Sequence, residues 1–247
     1  MILYIFLFIV LTVLLCLLYL KIRYPFWSRQ PVFHYYNLYY WLTSPGYLNY
    51  EFNINKYYDG NIEFNDYLKL NKDKKNELYT LVKNNYSPAS HEYYEPTMDA
   101  IIDYFKGHNK KVYISMKYSI DTNKNKKCIG TMSSIPYEMV IYKNKMDIYY
   151  IDFLCVHKDY RKKGNAPLII YSHAVNLYNM YKHLVYIFKR EGVLSSYVPL
   201  TVYNTYIFDT KHWVKNASFK NNQYQLIDSK GSNISTLQEI FEDMETN

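Results

Sequence analysis

The sequence predicts an α/β domain built on a mixed sheet, placed behind an N-terminal transmembrane helix. Three features of the chain predict it. The first is an uncharged apolar run over residues 2–20, the second is two helical patterns followed by a series of strand patterns, and the third is a strand that runs through a basic glycine loop into a helix. This alternation is typical of a sheet covered by helices. We therefore expect an anchor over residues 1–23 and one domain over residues 24–247.

The N-terminal run is long enough to cross a bilayer. Its roughly 19 residues would span about 28 Å as a helix, close to the hydrocarbon thickness of a membrane. A cleaved signal peptide would have a basic start, a shorter apolar core and a small-residue cleavage site, and the segment has none of these. Lys21, Arg23 and Arg29 follow the run and favour a cytosolic domain. In that orientation the sequons at Asn216 and Asn233 carry no glycan.

Composition limits the chemistry that the domain can perform. The net charge of +7 fits either ordinary solubility or attraction to a phosphorylated ligand, and no nucleic-acid partner is expected. Of the 3 cysteines, Cys16 lies in the apolar run, and Cys128 and Cys155 form neither a disulfide framework nor a metal-binding spacing. We expect no metal and a reducing compartment. The 32 tyrosines indicate coding bias, which weakens any argument from aromatic stacking.

The periodicity of apolar residues predicts the remaining elements. Residues 24–32 contain two prolines and residues 35–65 are rich in turn signals, so loops and turns are expected there. Helices are predicted over residues 74–86, 96–105 and 167–181, with a short one from Ser235. Strands are predicted over residues 112–116, 128–135, 138–142, 148–156, 184–188, 200–208 and 224–227. Together these patterns predict a seven-stranded mixed sheet flanked by helices.

The most informative segment is DFLCVHKDYRKKGNAP, residues 152–167, in which a strand leads through a basic loop into a helix. N–H groups at a helix N-terminus are unpaired and carry partial positive charge, so a pyrophosphate can bind there. Gly164 allows close backbone approach, and the small Ala166 leaves room for a ligand. Further charge comes from Arg161, Lys162 and Lys163. The alternative is a basic surface loop that begins an ordinary helix.

Arg-x-x-Gly-x-Ala after a strand resembles the acetyl-CoA-binding signature of the GNAT superfamily of acyltransferases. The segment from Asp152, Asp-Phe-Leu-Cys-Val-His-Lys, resembles the Asn-Phe-Leu-Cys-Val-His-Lys segment of eukaryotic N-myristoyltransferases. Other similar segments occur in the same order as in that family. They are Tyr-Pro-Phe-Trp from Tyr24, Gln-Pro-Val from Gln30, Leu-Tyr-Thr-Leu to Asn-Asn-Tyr from Leu78, Ser-Ile-Pro from Ser134 and Gly-Val-Leu from Gly192. The resemblance covers the N-terminal half of the family, so a single GNAT-like acyl-CoA N-acyltransferase domain is expected.

The resemblance implies transfer of a myristoyl group from myristoyl-CoA to the N-terminal glycine of a protein or peptide. The backbone amides of Phe153 and Leu154 would form the oxyanion hole that stabilises charge on the thioester oxygen. Cys155 would then be a packing position and not a nucleophile. The CoA site would be lined by Pro25, Phe26 and Trp27. The pantetheine and phosphates would be held by Cys155, Val156, Arg161, Lys162, Lys163, Gly164, Asn165 and Ala166.

Departures from the family keep three functions open. Family members consist of two GNAT-like halves, and the C-terminal carboxylate of the second half deprotonates the glycine amine. The chain ends at Asn247, so that base is not expected in its usual place; the carboxylates of Asn247 and Glu191 are alternatives, and a homodimer would restore two halves. The functions are myristoyl transfer, acyl-CoA binding without catalysis at a membrane, and acetyl-CoA-dependent acetyl transfer. The anchor and composition resemble proteins of large DNA viruses, which would place the chain in a host or virion membrane.

Overall fold

The computed structural model describes residues 2–42, 50–86, 95–120, 125–141, 143–182, 185–190, 197–204, 206, 208, 209 and 211. The chain divides into two compact units, Met1–Leu200 and Thr201–Asn247. The described residues of the second unit form neither helix nor strand, so the strand predicted over residues 200–208 was wrong in that part. The strand predicted over residues 224–227 and the helix predicted from Ser235 lie outside the described residues.

The apolar run forms helix α1, Ile2–Arg23, as predicted. None of its residues is buried, and the hydroxyl of Thr12 donates to the carbonyl of Phe8 at 2.9 Å, inside the helix. Lys21 and Arg23 lie in its last turn, where positive charge is favoured by the helix dipole. By length and composition, α1 is the one helix in the described part of the chain that could cross a membrane.

Five strands form one mixed sheet in the order β1-β2-β3-β4-β5. They are β1 Glu63–Asp66, β2 Tyr113–Ile120, β3 Lys126–Ile141, β4 Asn144–Val156 and β5 Val185–Phe188. Strands β1 to β4 pair antiparallel, and β5 joins β4 in parallel. The α/β class and the mixed sheet are therefore confirmed. Seven strands were predicted and the described residues contain five, of which β1 lies in a segment that was predicted to be loop.

Strand β3 corrects the predicted boundary between two strands. Residues 128–135 and 138–142 were predicted as separate strands, but β3 runs on through Pro136, which pairs with Tyr149. Pairing between β2 and β3 ends at Ser134, so Pro136 has a strand neighbour on one side only. Proline is tolerated at such an edge because no N–H is needed there. The proline therefore does not interrupt the strand.

Two capped helices cover one face of the sheet. They are α3, Lys72–Asn85, and α4, Met98–Tyr104; the short helix α2, Leu38–Leu42, precedes them. The Asn71 side chain accepts from the N–H of Lys74, and the Thr97 hydroxyl accepts from the N–H of Ala100. Pro96 was predicted inside the first turn of α4 and instead lies before the Thr97 cap. The core under these helices contains Leu78, Leu81, Ile101, Phe105, Ile114, Met116, Ile135 and Phe153.

Helix α5, Asn165–Met180, covers the opposite face of the sheet. Side chains alternate along β2, so Ile114 packs under α3 and α4 while Ser115 hydrogen-bonds to His173 of α5. The helix lies close to β3, where a Cβ on Gly130 would collide with Ile169. A side chain at position 130 would therefore have to displace the terminal methyl group of Ile169.

A buried histidine makes the stability of this fold depend on pH. His173 is fully buried, and burial lowers its pKa from 6.5 to about 3, so the folded chain holds the ring neutral. Below about pH 6.5 the unfolded chain binds a proton that the folded chain does not. We expect this histidine to remove about 1 kcal/mol of unfolding free energy per pH unit as the pH falls below that value, and nothing above it. Urea unfolding of the full chain in detergent, followed across this range, measures the effect.

A pair of variants separates His173 from the carboxylates that also titrate in acid. The His173→Gln variant cannot bind the proton, so its unfolding free energy should fall less steeply with acid than that of the wild type. The matched control is Asn176→Gln on the same helix, which changes no titratable group and should retain the wild-type slope. Equal slopes for all three proteins would contradict the prediction.

Candidate functional site

A β-bulge interrupts β4 at the two residues that were predicted to form an oxyanion hole. Phe153 and Leu154 together lie opposite the single residue Met132 of β3. Phe153 has a φ of 46°, in the left-handed region that residues other than glycine rarely adopt. The flanking pairs are Thr131 with Cys155 and Ser133 with Asp152. Bulges of this kind change the direction of the backbone and often adjoin active sites.

The Phe153 ring holds the bulge in place. It is 4% exposed and contacts three other rings, with centroid distances of 5.4 Å to Tyr86, 5.3 Å to Tyr104 and 5.6 Å to Phe105. These rings come from the end of α3 and from the end of α4. The packing of this buried ring offsets the cost of the positive φ.

The carboxylate of Asp152 lies beside the bulge and accepts three hydrogen bonds. The donors are the N–H of Phe153 at 2.7 Å, the hydroxyl of Tyr104 at 2.7 Å and the hydroxyl of Tyr86 at 3.3 Å. Burial, and then the bond to Asp152, raise the pKa of Tyr104 far above its usual range, so Tyr104 is a neutral donor. Asp152 was not among the predicted site residues. The sequence did contain a signal for this residue, because Asp152 stands where the family segment has asparagine.

After Ile151, β4 has no strand neighbour among the described residues on the side of β5. Strands β4 and β5 pair over four positions only, ending at Ile151 with Phe188. Residues 152–156 of β4 have no partner on β5 within the part of the chain that the structure describes. Backbone groups at such an edge can bind an extended ligand. The edge begins where the bulge begins, so an extended ligand there would pass the backbone of Phe153 and Leu154.

The basic loop after β4 is fastened to α3 by Arg161 and Asn85. The Arg161 guanidinium donates to the carbonyl of Val156 at 3.0 Å and to the carbonyl of Asn85, and the Asn85 side chain accepts from the N–H of Lys158. Arg161 was predicted as a ligand-binding residue, and the structure shows that part of its guanidinium is used to close the loop. The neighbouring Lys162 and Lys163 are exposed.

Helix α5 begins at Asn165 and not at Pro167, which lies within its first turn, where proline is tolerated. Gly164 caps the helix with a φ of 77°, and a Cβ there would meet no atom within 4 Å. The need for glycine is therefore conformational and not steric. The Asn165 side chain donates to the carbonyl of Tyr160 at 2.8 Å, which orients the first turn. Gly164, Asn165 and Ala166 thus form the helix N-terminus that was predicted to bind phosphate.

The aromatic entry segment packs beside the end of the pairing between β4 and β5. Phe26 is buried against Tyr171 and Val175 of α5. Trp27 stacks on Phe188, with a centroid distance of 5.7 Å, while the adjoining Pro25 is exposed. Because Phe188 pairs with the last β4 residue before the gap, the indole lies near the point where β4 and β5 separate.

Cys155 faces the core and not the gap between the strands. Its side chain is 2% exposed, and its sulfur lies 3.8 Å from the carbonyl oxygen of Leu81. Burial raises the pKa of the Cys155 thiol to about 12, so it stays protonated and is a poor nucleophile. The expected packing role agrees with this position. Val156 packs toward α5 beside Ile169.

Several predicted features lie outside the described residues. They are Glu191, the Gly-Val-Leu segment from Gly192, the sequons at Asn216 and Asn233, and Asn247. Within the described ranges, no group of three or more His, Cys, Asp or Glu side chains is placed to hold a metal.

The chain is similar to known proteins in sequence and in fold. A family profile described as "Myristoyl-CoA:protein N-myristoyltransferase, N-terminal domain" matches residues 58–196, more than half of the chain. Glycylpeptide N-tetradecanoyltransferase of Plasmodium falciparum (isolate 3D7) is 41% identical over 61 residues, which are 25% of this chain and 14% of that protein. Glycylpeptide N-tetradecanoyltransferase 2 of Danio rerio is 41% identical over 51 residues, 21% of this chain and 10% of that protein.

Solved structures share the fold. Saccharomyces cerevisiae N-myristoyltransferase with bound myristoyl-CoA is similar at a TM-score of 0.53 and 19% identity, over 69% of this chain and 41% of that one. A second structure of the yeast enzyme with bound myristoyl-CoA gives a TM-score of 0.52 and 18% identity, over 67% and 37% of the two chains. The matched part of this chain thus spans less than half of each of these relatives.

The loop geometry predicts that Arg161 contributes to stability. The Arg161→Lys variant keeps the charge but loses the planar group that reaches two carbonyls, so we expect it to lose about 1 kcal/mol of unfolding free energy. Urea unfolding measures the loss. The matched control is the reverse exchange, Lys163→Arg, on a neighbouring exposed side chain, which should change the unfolding free energy by less than about 0.5 kcal/mol. An Arg161→Lys variant as stable as the wild type would show that the loop does not depend on this contact.

Proposed function

The chain belongs to the N-myristoyltransferase family, and from that membership we propose that it transfers a myristoyl group from myristoyl-CoA to the N-terminal glycine of a protein or peptide. The family resemblance of the sequence to the N-terminal half of these enzymes is confirmed by the profile match over residues 58–196. The observation that carries the proposal is the bulge at Phe153 and Leu154, on the strand that leads through the basic loop to the N-terminus of α5 and past the end of its pairing with β5.

The donor, myristoyl-CoA, fits β4 beyond the end of its pairing with β5. In the proposed complex the pantetheine lies extended along residues 152–156 and hydrogen-bonds to their backbone. The pyrophosphate reaches the N–H groups at the start of α5, from Gly164 to Ala166, where the helix dipole favours an anion. Lys162 and Lys163 supply further positive charge. Trp27 and Phe26 form the aromatic wall beside the point where β4 and β5 separate.

Acyl transfer itself requires little from side chains in the first step. The neutral amine of the acceptor attacks the thioester carbon, and charge develops on the thioester oxygen. The N–H groups of Phe153 and Leu154 would donate to that oxygen and stabilise the charge. Collapse of the intermediate forms the amide, breaks the C–S bond and releases CoA as the thiol. The bulge serves this step because it holds the backbone in one orientation before the substrate binds.

Acyl-CoA binding without transfer is the second candidate, and one observation favours it. In the structure, the N–H of Phe153 already donates to Asp152, so one of the two proposed oxyanion donors is occupied. A negative carboxylate at this position opposes charge development on the thioester oxygen unless it is neutralised. Acetyl transfer from acetyl-CoA is the third candidate, and it is supported by the Arg-x-x-Gly-x-Ala pattern of the loop alone.

We also propose that α1 spans a membrane with the domain on the cytosolic side. Support comes from its uncharged length, from the absence of buried residues along it and from the positive charges at its C-terminal end. The acceptor would then be a protein at or near that membrane. Formation of a homodimer stays a prediction.

Binding of the donor tests the site. On protein lacking residues 1–23, calorimetric titration should show tighter binding of myristoyl-CoA than of acetyl-CoA or CoA. The Gly164→Val variant should weaken binding of all three by at least about tenfold, because a β-branched residue does not hold the left-handed conformation at the phosphate-binding turn. The Gly164→Asn variant is the control and should retain most of the affinity, since asparagine tolerates this conformation. If myristoyl-CoA binds no better than CoA, a myristoyl pocket is absent.

Glycosylation tests the orientation of the anchor. If the domain is cytosolic, Asn216 and Asn233 carry no glycan when the full chain is expressed in eukaryotic cells. Endoglycosidase treatment should then leave its mass unchanged. A sequon introduced ahead of Ile2, on the opposite side of the membrane, is the control and should be glycosylated. A mass shift in the chain without the added sequon would contradict the proposed orientation.

A further inference from the structure

We propose that Asp152 is the site of the acceptor amine, where its carboxylate binds the protonated N-terminus and takes a proton from it before acyl transfer. This inference rests on the proposed acyltransferase function and names the group that activates the nucleophile.

Asp152 lies beside one of the two proposed oxyanion donors. The Asp152 carboxylate lies 2.7 Å from the N–H of Phe153, which is one of the two donors proposed for the thioester oxygen. An amine bound to that carboxylate is therefore close to the carbon that it must attack. Asp152 is only partly buried, so an acceptor can reach it from solvent. The residue thus combines access with proximity to the reacting bond.

Asp152 differs in its charged contacts from the neighbouring carboxylates of the sheet. The other carboxylates on β3 and β4 are Glu138 and Asp147, and each is paired with a lysine, Lys145 and Lys110 respectively. Asp152 has no ion pair among the described residues. Its contacts are two tyrosine hydroxyls and one N–H, set in an aromatic cluster. A protonated amine supplies the positive charge that this site lacks.

The surroundings leave Asp152 as the proton acceptor. The titratable groups near this cluster are Tyr86 at the end of α3, Tyr104 of α4, Tyr137 of β3, Tyr150 of β4 and His108 after α4. The His108 ring lies 3.0 Å from the carbonyl oxygen of Tyr104 and 6.3 Å from the Tyr137 ring. Tyr104 remains a neutral phenol, since burial and its bond to Asp152 raise its pKa far above the usual range. Neutral phenols donate to a carboxylate but do not take a proton from an ammonium group. The Asp152 carboxylate is the described group that contacts the Phe153 N–H directly, and in this proposal it is therefore the base.

Proton transfer also removes the obstacle at the oxyanion hole. While Asp152 is ionised it engages the Phe153 N–H, and it would repel negative charge on the thioester oxygen. Once Asp152 has taken the proton it is a neutral acid, the repulsion ends and the Phe153 N–H becomes available to the thioester oxygen. Deprotonation of the nucleophile and release of the oxyanion donor are then one event.

The ammonium of the acceptor gives one proton to the carboxylate, which leaves a neutral amine and a carboxylic acid. The amine lone pair attacks the thioester carbon, the C–S bond breaks, and the second amine proton goes to the CoA sulfur. The products are an amide and CoA thiol, and Asp152 loses its proton to solvent before the next cycle.

The experiment measures transfer from myristoyl-CoA to a Gly-initiated octapeptide by the full chain in nanodiscs, with empty nanodiscs as the blank. The variant Asp152→Asn keeps the shape of the side chain but cannot take the proton. We expect kcat at neutral pH to fall by about 100-fold or more, with myristoyl-CoA affinity changed less than about twofold. The loss should shrink as the pH rises through about 8, where the peptide amine loses its proton unaided. Asp147→Asn, on the same strand, is the control and should match the wild type.

Each remaining outcome decides between the two proposals. If the wild type transfers myristate and Asp152→Asn transfers it as fast or faster, the inference is overturned and the proposed function stands. If Asp152→Asn is equally impaired at every pH, the proton-accepting role is overturned. If the wild type binds myristoyl-CoA but acylates no peptide, the proposed transfer fails, and this inference fails with it.

Discussion

The bulge at Phe153 is the constraint on which the rest of the site depends. A left-handed phenylalanine inside a strand is costly, and it persists because its ring is buried among Tyr86, Tyr104 and Phe105. That packing requires the ends of α3 and α4 to meet over β4. The positions of both helices therefore determine the direction of the backbone at the site. Loosening the aromatic cluster would release the backbone that the proposed oxyanion hole uses.

A second set of contacts fixes the donor side. Asn85 ends α3 and holds the loop after β4 through Lys158 and Arg161. The same helix end therefore supports the bulge through Tyr86 and the phosphate-binding turn through Asn85. The two parts of the proposed acyl-CoA site, about one loop apart in sequence, are held at a set separation by α3. Arg161 takes part in this fastening, and the exposed Lys162 and Lys163 beside it can attract an anion.

The electrostatics of the two parts are opposite in sign. The loop and the start of α5 combine exposed lysines with a helix N-terminus, which suits a phosphate group. The bulge carries one carboxylate without an ion pair among the described residues, which suits an ammonium group. A reaction between an anionic thioester donor and a protonated amine needs both. The same arrangement explains why the structure also fits an acyl-CoA-binding protein, since the carboxylate blocks the oxyanion donor until it is neutralised.

Local patterns in the sequence determined the apolar helix α1, helices α3 and α5, the central strand β4 and the family, because periodicity, caps and the Asp-Phe-Leu-Cys-Val-His-Lys segment are properties of neighbouring residues. They could not show that Pro136 lies inside β3, because only the end of the β2 pairing makes a proline harmless there. Nor could they separate Arg161, held by Asn85, from the exposed lysines beside it. The acid at position 152 was visible in the sequence, but its contacts were decided by tertiary structure, since Tyr86 and Tyr104 reach it from the ends of two helices and such convergence leaves no trace in local spacing.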